Sequence, residues 1–131
     1  MSVISTMYSL TLPDLPQWSL NKRGHWSERA ETVKAWRAVA GWTAAGAGIP
    51  RLDKASITLV MTPADRRRRD PDGIVGALKP CIDGLVDAGV LADDSWRHVS
   101  SVSCRIDTPD RTLSEHHWVL EIVPDPSLVP F

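Results

Sequence analysis

Nothing in this chain restricts its fold and chemistry more than the stretch from Arg66 to Asp94, RRRRDPDGIVGALKPCIDGLVDAGVLADD. Four arginines, Arg66 to Arg69, run into two carboxylates spaced as D-x-D, Asp70 and Asp72. A short apolar segment follows, carrying one lysine, Lys79, and the stretch closes on a second acidic pair, Asp93 and Asp94. In extended chain, side chains two apart point the same way, so Asp70 and Asp72 would share a pocket while Pro71 points elsewhere. Mg²⁺ takes oxygen ligands and needs only one or two protein carboxylates beside substrate phosphate. A third carboxylate, from Asp93 or Asp94, supplies enough charge for one ion, or for two ions roughly 3.5–4 Å apart. D-P-D-G is also an ordinary turn sequence, with Pro and Gly setting backbone angles and Asp supplying hydrogen bonds.

The order of residues resembles the RusA family of Holliday-junction resolvases, in particular the RusA-like endonucleases of phages and prophages. That family's signature is a basic residue, D-x-D-N, a lysine, an aspartate four residues on, a leucine, and a closing D-D. Asp70-Pro71-Asp72, Lys79, Asp83, Leu85 and Asp93-Asp94 match it in order. Two departures stand out: Gly73 replaces the asparagine, removing an amide that would orient a carboxylate or water, and Pro80 follows the lysine. Proline has no N–H for the carbonyl four residues back, so a helix here should kink or restart near Lys79.

The resemblance implies a Mg²⁺-dependent, structure-specific DNA endonuclease acting on branched DNA, chiefly four-way junctions. Asp70, Asp72 and Asp94 would hold the metal, with Asp93 in reserve, and Mn²⁺ is expected to substitute. Lys79 would stabilise charge on the scissile phosphate or orient the attacking water; it also stands at i,i+4 to Asp83, a position for a supporting ion pair. Symmetric cuts in two strands imply a homodimer. A silent junction-binding protein of the same fold, and a nuclease for flaps or forks, are the alternatives. Carboxylates that converge without a cation repel one another, so Asp70→Asn or Asp94→Asn is expected to raise the metal-free melting temperature.

Further DNA contacts are expected from Arg66, Arg67, Arg68 and Arg69, whose guanidinium groups would meet phosphates without reading sequence; a solvated run balancing the acidic cluster is the plainer reading. Asn21, Lys22, Arg23, His25 and Trp26 open a long helix, and similar N-x-R-x-H-W segments recur in RusA-like proteins. A helix start carrying basic groups suits phosphate. His98, His116 and His117 lack helical metal spacing and read as surface residues. The net charge of −1 excludes a histone-like coat, so any DNA contact must be local.

At 131 residues the chain suits one domain with one core, residues 1–131, with a Pro-rich tail at about 124–131. Alternation over Tyr8–Leu12 predicts a strand, and three- and four-residue steps of Trp26, Ala30, Val33, Trp36, Ala40 and Ala44 predict a helix over about 25–45. Ser27 is its expected N-cap. A strand over Ala55–Met61 aims at the arginine run. The segment Ile74–Ala88 reads as a helix with Ile74, Ala77, Leu78, Cys81, Ile82 and Leu85 on one face and Gly89 beyond its end. Strands at about His98–Ile106 and Trp118–Val123 are expected to pair antiparallel. The order β-α-β-α-β-β predicts a two-layer α+β fold, a mixed β-sheet with helices on one face. Two cysteines, Cys81 and Cys104, offer neither a disulfide framework nor metal spacing and read as buried free thiols. Trp42 lies off the main helical face, where it suits a dimer interface. The first residues form no signal peptide and no stretch is long enough to span a membrane, so a cytoplasmic protein is expected, and the resemblance implies one of a phage or prophage in its bacterial host.

Overall fold

The computed structural model describes residues 6–18 and 26–126, the side chains of 26–28 excepted. Seven elements follow in order: β1 (Tyr8–Thr11), α1 (Trp26–Ala47), β2 (Ala55–Thr62), a 3₁₀ segment (Pro71–Ala77), α2 (Leu78–Asp87), β3 (Val99–Ile106) and β4 (His117–Pro124). The fold is α+β with a mixed four-stranded sheet in the order β1-β4-β2-β3. The expected antiparallel pairing of β3 with β4 is corrected: β3 pairs parallel to β2, and β4 lies antiparallel between β1 and β2. The intervening helix α2 makes β2-α2-β3 a crossover unit, which places β3 parallel to β2. The polar loop after β3 then carries the chain across the end of β2, where the Asp107 N–H donates to the Met61 carbonyl and the Asp110 N–H to the Pro63 carbonyl, both at 2.8 Å.

The strand pattern decides which face the helices cover. Ala55, Ile57, Leu59 and Met61 of β2 alternate onto the inner face with Leu120 and Ile122 of β4, and all are buried. The outer face is more polar, though Val60 and Val119 pair on it: the Thr58 and Ser103 hydroxyls hydrogen-bond at 2.7 Å, and Arg105 reaches Glu121 at 3.1 Å. Sheets with one apolar and one polar face bury the first against helices.

Within α1 the expected apolar face holds only in its later turns. Trp36, Ala40 and Ala44 are buried, whereas Ala30 and Val33 are exposed, so the first turns run past the sheet. The helix starts at Trp26, which places Ser27 inside it rather than at its cap. Trp36 is the hub of the core near its open end. Its ring meets Trp118 at 4.8 Å and Trp18 at 5.5 Å, both edge-to-face, and its indole N–H donates to the Pro16 carbonyl at 3.0 Å. That bond straps the loop after β1 onto the core.

The α2 region keeps its expected face, for Ile74, Ala77, Leu78, Cys81, Ile82 and Leu85 are all buried. Pro80 is accommodated by a restart. The chain runs as 3₁₀ helix to Ala77, and α2 begins at Leu78, leaving Pro80 in a first turn whose N–H groups have no intrahelical partner. At the other end, Gly89 takes φ 79°. Its N–H donates to the Val86 carbonyl and that of Val90 to the Leu85 carbonyl, each at 3.0 Å. This is the paired closure that a left-handed glycine permits, and buried Val90 and Leu85 supply the apolar contact that accompanies it.

Helices α1 and α2 meet where both carry glycine. A Cβ on Gly84 would lie 2.5 Å from the Arg37 carbonyl oxygen, and one on Gly41 would lie 3.1 Å from that of Gly84. Arg37 then reaches over to Asp87 with two bonds of 2.7 and 2.8 Å.

Both cysteines are free; Cys81 is buried and Cys104 half-buried. Burial pushes the Cys81 thiol up to about 12, and only the thiolate is the nucleophile. Cys81 is therefore expected to resist maleimide at pH 7.5 in the folded protein and to label fully in denaturant, which mass spectrometry of the alkylated peptides will show. Among the described residues, no helix is long and apolar enough to cross a membrane.

Candidate functional site

The arginine run leaves the sheet directly after β2, and its root is fixed. The Ala64 N–H donates to His116 Nδ1 at 3.0 Å, which ties the start of the loop to the segment before β4. Asp65 follows, its carboxylate accepting from the Arg69 guanidinium at 2.7 Å and from the Arg67 N–H at 3.0 Å. The bond from Arg69 holds the Asp65 carboxyl far below the usual carboxylate range, with the Arg67 N–H adding to the effect. Arg69 also donates to the Asp65 and Arg67 carbonyls at 3.4 and 3.3 Å, so it braces the loop from within. Its side chain is 19% exposed against 90% for Arg68, which separates a bracing arginine from three outward ones, Arg66, Arg67 and Arg68.

The D-x-D is not an extended pair. Asp70 has extended backbone angles, but Pro71 fixes the next φ and starts the 3₁₀ turn, which takes in Asp72. The Gly73 N–H closes that turn on the Asp70 carbonyl at 2.9 Å. The turn chemistry of D-P-D-G therefore shapes the backbone, while both carboxylates remain exposed. Asp70 has Arg68 at 3.9 Å, a loose and solvent-screened pair.

The closing pair returns to the lysine. After the reversal at Gly89 the chain doubles back along α2, and Asp94 contacts the Lys79 ammonium, which also donates to Asp83 at 3.0 Å. Those two carboxylates raise the Lys79 pKa, Asp94 foremost, and Lys79 in turn lowers that of Asp94. The Asp94 N–H donates to Asp93 Oδ1 at 2.8 Å, so Asp93 shapes the loop beside it. The expectation that Asp94→Asn raises the melting temperature is thereby corrected, since Asp94 faces a cation rather than bare like charge. The substitution should instead lower stability only slightly, since so exposed a pair is screened by solvent, as a thermal melt in EDTA will measure.

The structure thus joins Lys79, Asp83 and Asp94, and sets Asp70 beside Arg68. Among the described residues it brings no three His, Cys, Asp or Glu side chains close enough to hold a metal ion. The donor chemistry nevertheless suits a hard cation: Asp70, Asp72, Asp93 and Asp94 offer carboxylate oxygens with no thiol or imidazole among them. Lys22, Arg23 and His25 lie outside the described residues.

Sequence reasoning missed two features. Trp96, two residues past Asp94, is 64% exposed, with the Arg97 guanidinium 5.8 Å from its ring centre. The indole thus presents an aromatic face beside the acidic loop, with Arg97 over it. His116 is half-buried rather than a plain surface residue. It lines a cleft of about 660 Å³ together with Trp18, Asp65, Arg68, Arg69 and Asp70. Only its distance in sequence from the arginine run hid this; β4 and β2 are neighbours, which puts the residue before β4 beside the residue after β2.

No family model matches the chain. An uncharacterized protein of Xylella fastidiosa (strain Temecula1) is 33% identical over 108 residues, a span that takes in 76% of this chain and 68% of that protein. The chain belongs to the same family as that Xylella protein. The kinship fixes descent and leaves the chemistry to be argued from the residues.

Proposed function

We propose that this protein is a Mg²⁺-dependent endonuclease of the RusA type, acting on branched DNA and on four-way junctions in particular. The observation that supports the reading most directly is the contact between Lys79 and Asp94. It brings the last acidic pair of the motif back to its central lysine, fifteen residues earlier in sequence. That meeting gathers the lysine and the closing acids of the motif, and a single site further requires Asp70 and Asp72 to converge on them.

Asp70, Asp72 and Asp94 would hold the cation, with Asp93 shaping the loop that presents Asp94. The bound ion supplies a water of lowered pKa and offsets charge on the phosphate. Lys79 is a fixed positive charge within reach of that phosphate, and Asp83, at i,i+4, sets its direction. Arg66, Arg67 and Arg68 project from a braced loop and meet the backbone phosphates on either side. Two such sites in a homodimer would face the two strands of a junction; exposed Trp42 on α1 suits that interface. Cleavage of a labelled four-way junction with and without Mg²⁺, beside linear duplex, flap and fork controls, tests the reading. Metal-dependent nicking confined to branched substrates is the expected result, and junction binding without cleavage in Mg²⁺ or Mn²⁺ would overturn it.

That second outcome defines the other reading, a silent junction-binding protein of the same fold. It is favoured by Gly73 in place of the motif's asparagine and by the spacing of the carboxylates. Both readings require the arginine loop. Replacing Arg67 and Arg68 by alanine is expected to weaken binding to every DNA form and to flatten the salt dependence by roughly one to two phosphate contacts. Fluorescence anisotropy across a salt series measures both.

A further inference from the structure

Folding leaves the Trp96 ring largely in water and yet holds its backbone still. Trp96 is the second residue of a tight turn, in which the His98 and Val99 N–H groups both donate to the Ser95 carbonyl at 2.9 Å. Each end of that turn is pinned. On one side Asp94 is held at the Lys79 ammonium. On the other, His98 Nδ1–H donates to the Asp53 carbonyl at 2.8 Å. The His98 carbonyl also accepts from the Ala55 N–H at 2.9 Å, which fastens the turn to the start of β2. The second position of such a turn accepts most residue types, but here it carries an indole that is 64% exposed. An apolar ring left in water contributes little to folding, and its area becomes useful when a ligand covers it.

The surroundings select the ligand. Asp93 and Asp94 stand just before Trp96 in the same loop, so a bare phosphate is repelled there while a neutral aromatic group is not. The Arg97 guanidinium, 5.8 Å from the ring centre, helps to fix the orientation of the indole. In paired duplex both faces of every base are covered by its neighbours; at a branch point the stacks end and a base face opens. We propose that Trp96 stacks on an unstacked nucleobase at the branch point of the DNA. The inference rests on the nuclease reading above and deepens it, because Asp94, two residues away, would then act on a phosphate close to the base so held. Stacking on an indole is tolerant of base identity. Trp96 therefore selects for branched over linear DNA and not for a sequence.

The test uses the whole chain labelled with 5-fluorotryptophan, in EDTA at pH 7.5, where no cleavage occurs. Fluorine spectra are recorded while a four-way junction, a single-stranded oligonucleotide and a linear duplex are added in separate titrations. The Trp96 signal is assigned by its loss in Trp96→Phe. The expected result is a saturable shift of that signal with the junction and the single strand, and none with the duplex. Trp96→Phe keeps an aromatic face, whereas Trp96→Leu keeps apolar bulk without one. Trp96→Leu is expected to weaken junction binding about tenfold, the worth of one stacked base, and to leave duplex binding unchanged. Trp96→Phe should stay close to the wild type. A Trp96 signal that no DNA form moves, or that the duplex moves equally, overturns the inference. Equal affinity of Trp96→Leu and wild type for the junction does the same. So does a Trp96→Leu protein that sediments at a lower mass than the wild type, which makes the indole a contact between copies of the chain. The two readings fail separately: a Trp96 response in a protein that cuts no junction in Mg²⁺ removes the nuclease and leaves the stacking site, while junction cleavage with a silent Trp96 does the reverse.

Discussion

Gly84→Ala is expected to lower the melting temperature by about 10 °C or more. The new Cβ would stand 2.5 Å from the Arg37 carbonyl oxygen, 2.8 Å from the Gly41 nitrogen and 2.9 Å from the Ala40 Cβ. Two of the three are backbone atoms of α1, so no side chain can swing aside and the helices must separate. Overpacking of a tight core costs typically 1–3 kcal/mol, and a clash with main chain belongs at roughly the upper end. In a domain of this size, roughly 3 kcal/mol moves the midpoint by about 10 °C. Separation also stretches the Arg37–Asp87 bridge and shifts α2, which carries Lys79. Gly46→Ala is the control, since a Cβ there meets nothing within 4 Å and its place in the last turn of α1 lets alanine be neutral to mildly favourable. Thermal melts should show Gly84→Ala falling while Gly46→Ala stays level or rises slightly.

Asp72→Asn is expected to reduce junction cleavage by more than about a hundredfold while leaving junction affinity within about twofold. The substitution preserves shape and removes the charge a hard cation requires. Loss of a group that merely supports a metal ligand costs 10–100-fold as a rule, so loss of a ligand should cost more. Asp72 is exposed in the first turn of the 3₁₀ segment, and nothing in the core rests on it. Its melting curve should accordingly overlay the wild type. Cleavage and gel-shift assays run in parallel decide the matter; a variant that cuts at the normal rate would remove Asp72 from the site.

The local architecture was legible in the sequence wherever periodicity and turn chemistry acted alone. The face from Ile74 to Leu85, the restart at Pro80 and the left-handed Gly89 all follow from side-chain spacing and from what proline and glycine do to a backbone. Strand pairing was not legible in the same way. The pattern in β4 fits a seat beside β3 as well as one between β1 and β2, because alternation reports which face is buried and not who the neighbour is. The exposed early turns of α1 were hidden for a related reason: Ala30 and Val33 continue the apolar stripe beyond the reach of the sheet. At the site, the residues Asp70, Lys79, Asp83 and Asp94 were named from their order in the chain. The meeting of Lys79 with Asp94 depends on the reversal after α2, and the place of His116 depends on the sheet order. Neither the direction of that return nor the contact between residues 64 and 116 is encoded within any one window of sequence.

The position of β4 has a bearing on how the molecule is made. β1 has one partner in the sheet, β4, and Tyr8 is matched to Ile122 across more than a hundred residues. During synthesis from the N-terminus, β1 must therefore wait with an unsatisfied edge until nearly the whole domain has emerged. The unit β2-α2-β3 closes over far shorter loops and can assemble first, and contacts near in sequence form sooner than distant ones. Lys79, Asp83 and Asp94 all lie within that earlier unit. On a ribosome the acidic site would take shape before the sheet that finally supports it, with β4 arriving last as the strand that joins the two halves.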